Sequence, residues 1–301
     1  MKRISFVLLL IILFITGCSK ENSNKLTIVT TNFPSYDFVR AIVKDNVEVK
    51  MLLKPGVETH DYEPTPKDII DIKNSDLFVY IGGESDYWVD NILKDIDKDS
   101  NKVIKLMDYV DLVEEDTEED EHEHEEEDEY DEHIWTSPIN AIKIIEGLRD
   151  KIISIDNNEE YLKNSNEYID EIKKIDFEIR ELVSNSKRKT LVFADRFPIL
   201  YFVKEYGLSY YAAFPGCAHE TEVSAKTLSF LIDKVKEESI PVVFHIELSN
   251  TKIADAISSE TNTKVLEYHT GHNISKSDFI HGVTYVDIMK NNIKVLKEAL
   301  N

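Results

Sequence analysis

Apolar runs of β-branched and aromatic residues alternate with segments of helical periodicity along most of the chain. "KLTIVTTNFP", "VEVKMLLKPG", "SDLFVYIGG" and "NKVIKLMDY" read as strands that end in turn residues. Between them, "SYDFVRAIVK", "TPKDIIDIKN" and "SDYWVDNILKDI" carry the apolar spacing of amphipathic helices. The alternation returns in the second half. "KTLVFAD", "LSYYAAF", "IPVVFHIEL" and "TKVLEYH" are strand-like, and "RFPILYFVKEYG", "SAKTLSFLIDKVKEE" and "TKIADAISSETN" are helix-like. A final helix is expected from about residue 283 to 300. Strands that alternate with helices predict mainly parallel sheets with flanking helices, here in two α/β lobes.

The stretch between the lobes has a different pattern. From Asp156 onward, Tyr161, Ser165, Tyr168, Ile172, Ile175, Ile179 and Leu182 recur at alternating spacings of four and three, with no turn signal. Asp156 and Glu159 have the spacing of a capping box. The pattern predicts one linker helix of roughly 28 residues, about 42 Å long at about 1.5 Å per residue. The expected organisation is a leader at 1–17, a tether at 18–25, an N-terminal lobe at 26–155, the linker at 156–186 and a C-terminal lobe at 187–301. Two lobes joined in this way enclose a crevice, and open α/β sheets bind ligands beyond the carboxyl ends of their strands.

Charge changes this picture in one place. The chain has 301 residues and a formal net charge of −23, but residues 114–133 hold fifteen Asp and Glu and neither Lys nor Arg. Removing those fifteen from the 58 acidic residues leaves 43 against 35 basic, a net of about −8, which is ordinary for a globular body. No basic stripe stands out, so a nucleic-acid partner is not expected. The opening "MKRISFVLLLIILFITGC" has early positive charge, an apolar run and small residues before a cysteine, the layout of a secretory signal peptide. Cys18 and Cys217 are the two cysteines, so with Cys18 modified no internal disulfide could form.

Candidate chemistry rests on histidine. His60 follows the second predicted strand, in "KPGVETHDYEPTP". His133 precedes the helix that opens at Pro138, and His269 follows the last strand, with His272 three residues on. These are equivalent topological places in the two lobes, which favours a shared metal over isolated solvated rings. His122 and His124 lie in the acidic run of residues 114–132, which is too charged to pack and reads as an auxiliary cation-attracting loop. His245, inside "VVFHIEL", reads as a core or supporting histidine; His219, His281 and Cys217 carry no site signal.

"KPGVETHDYEPTPKDI", "DEHIWTSP", the long helix, "YFVKEYGL" and the ending "GVTYVDIMKNNIKVLKEAL" together resemble the zinc- and manganese-binding solute-binding lipoproteins of bacterial ABC transporters, in a divergent branch. The resemblance covers nearly the whole mature chain. It implies metal ligation by His60 and His133, and by His269 in a segment matching "LEYHTG". At the family's remaining ligand position stands Arg196, and a guanidinium cannot ligate a cation. Asp195 is the favoured replacement, with Glu222, Glu247 and His272 as alternatives. "ITGC" resembles a lipobox, which implies cleavage before Cys18, its lipidation, and a place on the extracellular face of the cell membrane, of Gram-positive type.

The expected activity is capture of Zn(II), or Mn(II) as a second choice, in the interlobe crevice by a monomer that delivers it to a membrane permease. Imidazoles with one carboxylate suit zinc, whereas Mn(II) prefers more oxygen ligands. A closed four-ligand site leaves no open position for catalysis, so an enzyme is not expected. A zinc hydrolase is the first alternative, but neither H-E-x-x-H nor G-x-S-x-G occurs. A surface adhesin with a structural metal is the second; its fold would be lost on chelation.

Overall fold

The computed structural model describes residues 25–57, 62–94, 102–115, 130–216 and 222–301. The expected leader, Cys18, His60, His122, His124, Cys217 and His219 lie outside the described residues.

Among the described residues, two four-stranded parallel sheets form, one in each half of the chain. The first has the order β2–β1–β3–β4, with β1 at Thr27–Thr30, β2 at Glu48–Met51, β3 at Leu77–Tyr80 and β4 at Val103–Lys105. Helices α1 (Phe33–Val43), α2 (Pro66–Asn74) and α3 (Tyr87–Leu93) make its crossovers. All four residues of β3 are buried, as befits a central strand covered on both faces. Helix α1 is capped by Asn32, whose side chain accepts from the Ser35 amide in a full capping box.

Next come α4 (Pro138–Ile155) and the long helix α5 (Glu159–Asn185). The second sheet follows with the order β6–β5–β7–β8: β5 at Thr190–Arg196, β6 at Ser209–Phe214, β7 at Val242–Ile246 and β8 at Lys264–Tyr268. Its helices are α6 (Leu200–Tyr206), α7 (Ala225–Glu237) and α8 (Lys252–Thr261), and the chain closes with α9 (Lys276–His281) and α10 (Tyr285–Leu300). Both sheets reverse direction after their second strand. The result is a crevice beyond the carboxyl ends of each.

Helix α5 is the expected linker, 27 residues long, but it starts later than Asp156. Its cap is Asn158, whose side chain accepts from the Glu160 amide. Asp156 instead accepts from the Tyr161 hydroxyl at 2.6 Å, so its carboxylate is spent outside the helix and the Asp156–Glu159 capping box does not form. The buried stripe of α5 includes Tyr161, Ile169, Ile172, Ile175, Ile179 and Val183. It packs against α1, α4 and α10. Ile28 and Leu77 of the first sheet, Ile172 and Ile179 of α5, and Phe193 and Val242 of the second sheet share one contiguous core. Each fully buried Ile there contributes about 1.5–3 kcal/mol of burial free energy.

Candidate metal centre

The site is built on loops at the carboxyl ends of both sheets. One hollow is lined by Thr31, Leu53, Ile81 and Asp86 from the loops after β1, β2 and β3, together with Glu132 and His272. A second is lined by Arg196, Ile246, Glu247 and Thr270 from the ends of β5, β7 and β8, and again by His272. His272 is therefore the residue the two hollows share. Val57 lines the second hollow and Tyr62 the first, so both described ends flanking His60 reach this crevice.

His133 sits at the entry to a short 3₁₀ turn, Ile134–Thr136, just before α4. It is fully buried. Its Nδ1 donates to Asp131 Oδ1 at 3.1 Å, because a carboxylate can only accept, and its backbone amide donates to the same oxygen at 2.7 Å. This leaves the Nε2 lone pair available, and Nε2 is buried without a hydrogen-bond partner. Such a burial costs about 1–3 kcal/mol unless something occupies the lone pair. Complete burial opposes the charged ring, but the carboxylates of Asp131, Glu132 and Glu115 outweigh it and raise the pKa of His133 above its usual value.

Glu132, His133 and His272 each bring one ligand atom to within 4.8 Å of the others. The two imidazole centroids are 5.0 Å apart at 89°. His272 Nε2 lies 3.9 Å from Glu132 Oε1, and the Trp135 ring packs against His272 with centroids 5.1 Å apart. Glu132 Oε2 accepts from the Ser85 amide at 2.8 Å, and Oε1 accepts from the Ser85 hydroxyl. Gly83 lets this carboxylate come close: a Cβ there would stand 2.1 Å from Glu132 Cβ. Asp86 nearby accepts from the amides of Ile81 and Gly82, and burial followed by the charge of Glu132 pushes its pKa up to about 7.

The other sequence-derived candidates stand apart from this group. Asp195 Oδ1 accepts from the Arg196 amide at 2.9 Å, while Oδ2 accepts from the Ile246 amide at 3.2 Å and from the Ser249 hydroxyl. Its carboxylate thus ties β5 to the end of β7. Glu247 accepts from the Thr270 amide and hydroxyl and from the His272 amide, which fixes the loop after β8. His269 Nδ1 accepts from the Gly271 amide and lies 3.6 Å from Glu247. Glu222 is exposed, and Arg196 is half-buried on the wall of the second hollow. His245 is half-buried, with its Nδ1 at 3.0 Å from the Ile246 carbonyl. Sequence reasoning did not single out Glu132, one of the fifteen acids in residues 114–133. Its only signal in the sequence was its place just before His133.

A family model described as zinc-uptake complex component A, periplasmic (ZnuA), matches residues 28–299. The chain is 36% identical over 290 residues to the high-affinity zinc uptake system protein ZnuA of Bacillus subtilis (strain 168), covering 94% of this chain and 90% of the relative. It is 33% identical over 308 residues to the zinc-binding lipoprotein AdcA of Streptococcus pneumoniae (strain ATCC BAA-255 / R6), covering 99% of this chain but 61% of that relative. The solved Zn(II)-bound ZnuA-like domain of Streptococcus pneumoniae AdcA superposes with a TM-score of 0.77 at 30% identity, over 92% of this chain and 99% of that one.

Proposed function

Because the chain belongs to the zinc-uptake complex component A family, we propose that it captures Zn(II) in the crevice between its two sheets and passes it to an ABC permease. The observation that carries this reading is His133 Nε2, buried and without a hydrogen-bond partner, grouped with His272 and Glu132. His133 and His272 supply two imidazoles, Glu132 supplies the carboxylate grouped with them, and His60 is the third imidazole, in a segment whose described flanks reach the same crevice. Three imidazoles and one carboxylate suit zinc better than manganese. His269 and Asp195, favoured by the sequence pattern, support the surrounding loops in this reading. Four such ligands would fill a tetrahedral site and leave no open position for a reacting water, which suits a protein that carries its metal rather than working on a substrate with it. Lipidation at Cys18 holds the monomer on the outer face of the membrane.

The test is a zinc titration of the purified mature protein against a competing chromophoric chelator. One tight site is expected, strongly weakened in His133→Ala, His272→Ala and His60→Ala. Full affinity in His133→Ala overturns the reading. Chelation should leave the circular dichroism spectrum unchanged; unfolding on chelation would mark a structural metal instead.

A further inference from the structure

His272 comes from the second sheet's loops, whereas Glu132 and His133 come from the segment leading into α4. Glu247 holds the His272 amide within its own lobe, and the next residue along the chain ties the loop to the opposite lobe. Asn273 is 2% exposed. Its side-chain amide donates to two carbonyls of the loop after β2, Lys54 O at 3.0 Å and Val57 O at 2.6 Å. Both of its N–H donors are thereby used across the interlobe boundary. Its Oδ1 accepts from the Ile274 amide at 2.8 Å, and the Ile274 carbonyl in turn accepts from the Gly56 amide at 2.8 Å. The 54–57 turn is itself continuous with the first sheet, since the amides of Leu52 and Leu53 donate to Thr30 and Thr31.

We propose that Asn273 is the positioning residue of the metal centre, a brace that holds His272 at ligating distance from His133 and Glu132 by gripping the 54–57 turn of the opposite lobe. The inference rests on the capture reading above and adds a residue that touches no metal. Partners that orient a ligand typically contribute ten- to a hundred-fold to metal affinity, by about the range seen for outer-shell groups.

Asn273→Asp tests it, because the side chain keeps its size and its acceptor for the Ile274 amide but loses both donors. Zinc affinity and the Co(II) ligand-field spectrum are measured in a double-mutant cycle with His272→Ala. Asn273→Asp alone should weaken zinc about ten- to a hundred-fold and alter the Co(II) spectrum. In the His272→Ala background it should change affinity by less than about three-fold, since its effect runs through that imidazole. Additive losses, with His272→Ala itself weak, refute the brace and leave the capture reading intact. Full affinity in His272→Ala refutes the ligand assignment, and with it the brace. Should Asn273→Asp fail to fold, Asn273→Ser enters the same cycle with the same expectations.

Discussion

Asp86→Asn should stabilise the metal-free protein at neutral pH, although Asp86 accepts two good backbone hydrogen bonds. Its pKa rises from 3.8 to about 7, first through burial and then through the charge of Glu132. A carboxyl group whose folded-state pKa lies above its unfolded value contributes stability that is complete below pH 3.8 and is lost as pH climbs through about 7. At about 1.36 kcal/mol per unit, the roughly three-unit rise corresponds to about 4 kcal/mol lost across that window. Asparagine presents the same carbonyl oxygen to the Ile81 and Gly82 amides and cannot ionise. Urea unfolding of both chelator-treated proteins between about pH 4 and pH 8 measures the difference. The mutant's advantage should grow with pH, at a slope approaching about 1.4 kcal/mol per unit, and level off above pH 7. Glu132→Gln should shift the wild-type transition to lower pH by removing the second cause. An advantage that does not change with pH would refute the argument.

Asp131→Asn should weaken zinc about ten- to a hundred-fold in chelator competition while the thermal midpoint moves little, because Asp131 sets the tautomer that leaves His133 Nε2 free to ligate. Gly83→Ala should cost about 1–3 kcal/mol in urea unfolding and weaken zinc as well, since its Cβ would collide with Glu132. Deleting residues 117–128 should leave the tight site intact in calorimetry and remove weak ones, whereas a deletion through 131 should also damage the tight site by taking Asp131. Zinc affinity should fall as pH drops. The carboxylates that raise the pKa of His133 make proton competition begin at a higher pH than for an ordinary imidazole, which titrations across about pH 5–8 will show.

The sheets were legible because apolar runs such as Leu77–Tyr80 belong to strands covered on both faces, and nothing local competes with that pattern. The linker helix was legible in its period but not in its first turn. There the Tyr161 hydroxyl claims Asp156, a contact made only once the chain is wound, and Asn158 takes the cap. The same distinction runs through the metal centre. The motif singled out His133, whose Nε2 is buried without a hydrogen-bond partner, but His269 and His272 lie three residues apart in one loop. A left-handed Gly271, at φ +76, turns that loop and decides which ring meets His133. Asp195 and Glu247 have the residue type and strand-end location of ligands. Backbone amides occupy both, and those partners are distant in sequence. Glu132 was indistinguishable from its acidic neighbours until Ser85 and Gly83, more than forty residues away, drew it inside.

Contacts between the lobes bear on how metal enters and leaves. Trp135 Nε1 donates to the Thr270 carbonyl at 3.0 Å, and the Tyr285 hydroxyl donates back to the Trp135 carbonyl at 2.9 Å. Asp37 of α1, buried between them, accepts from the Tyr285 amide at the start of α10 and from the Tyr168 hydroxyl on α5. These bonds join both halves of the chain through groups that are themselves buried, beside a core that runs unbroken from one sheet to the other. Opening the lobes as rigid bodies would break several buried hydrogen bonds together, each stranded partner costing about 1–3 kcal/mol, and would also expose apolar core. The bonds that hold the 54–57 turn to Asn273 add to this tie, since Asn273 is itself buried. Rigid-body separation of the two sheets is therefore the costly motion, and α5 with its neighbours holds them nearly fixed.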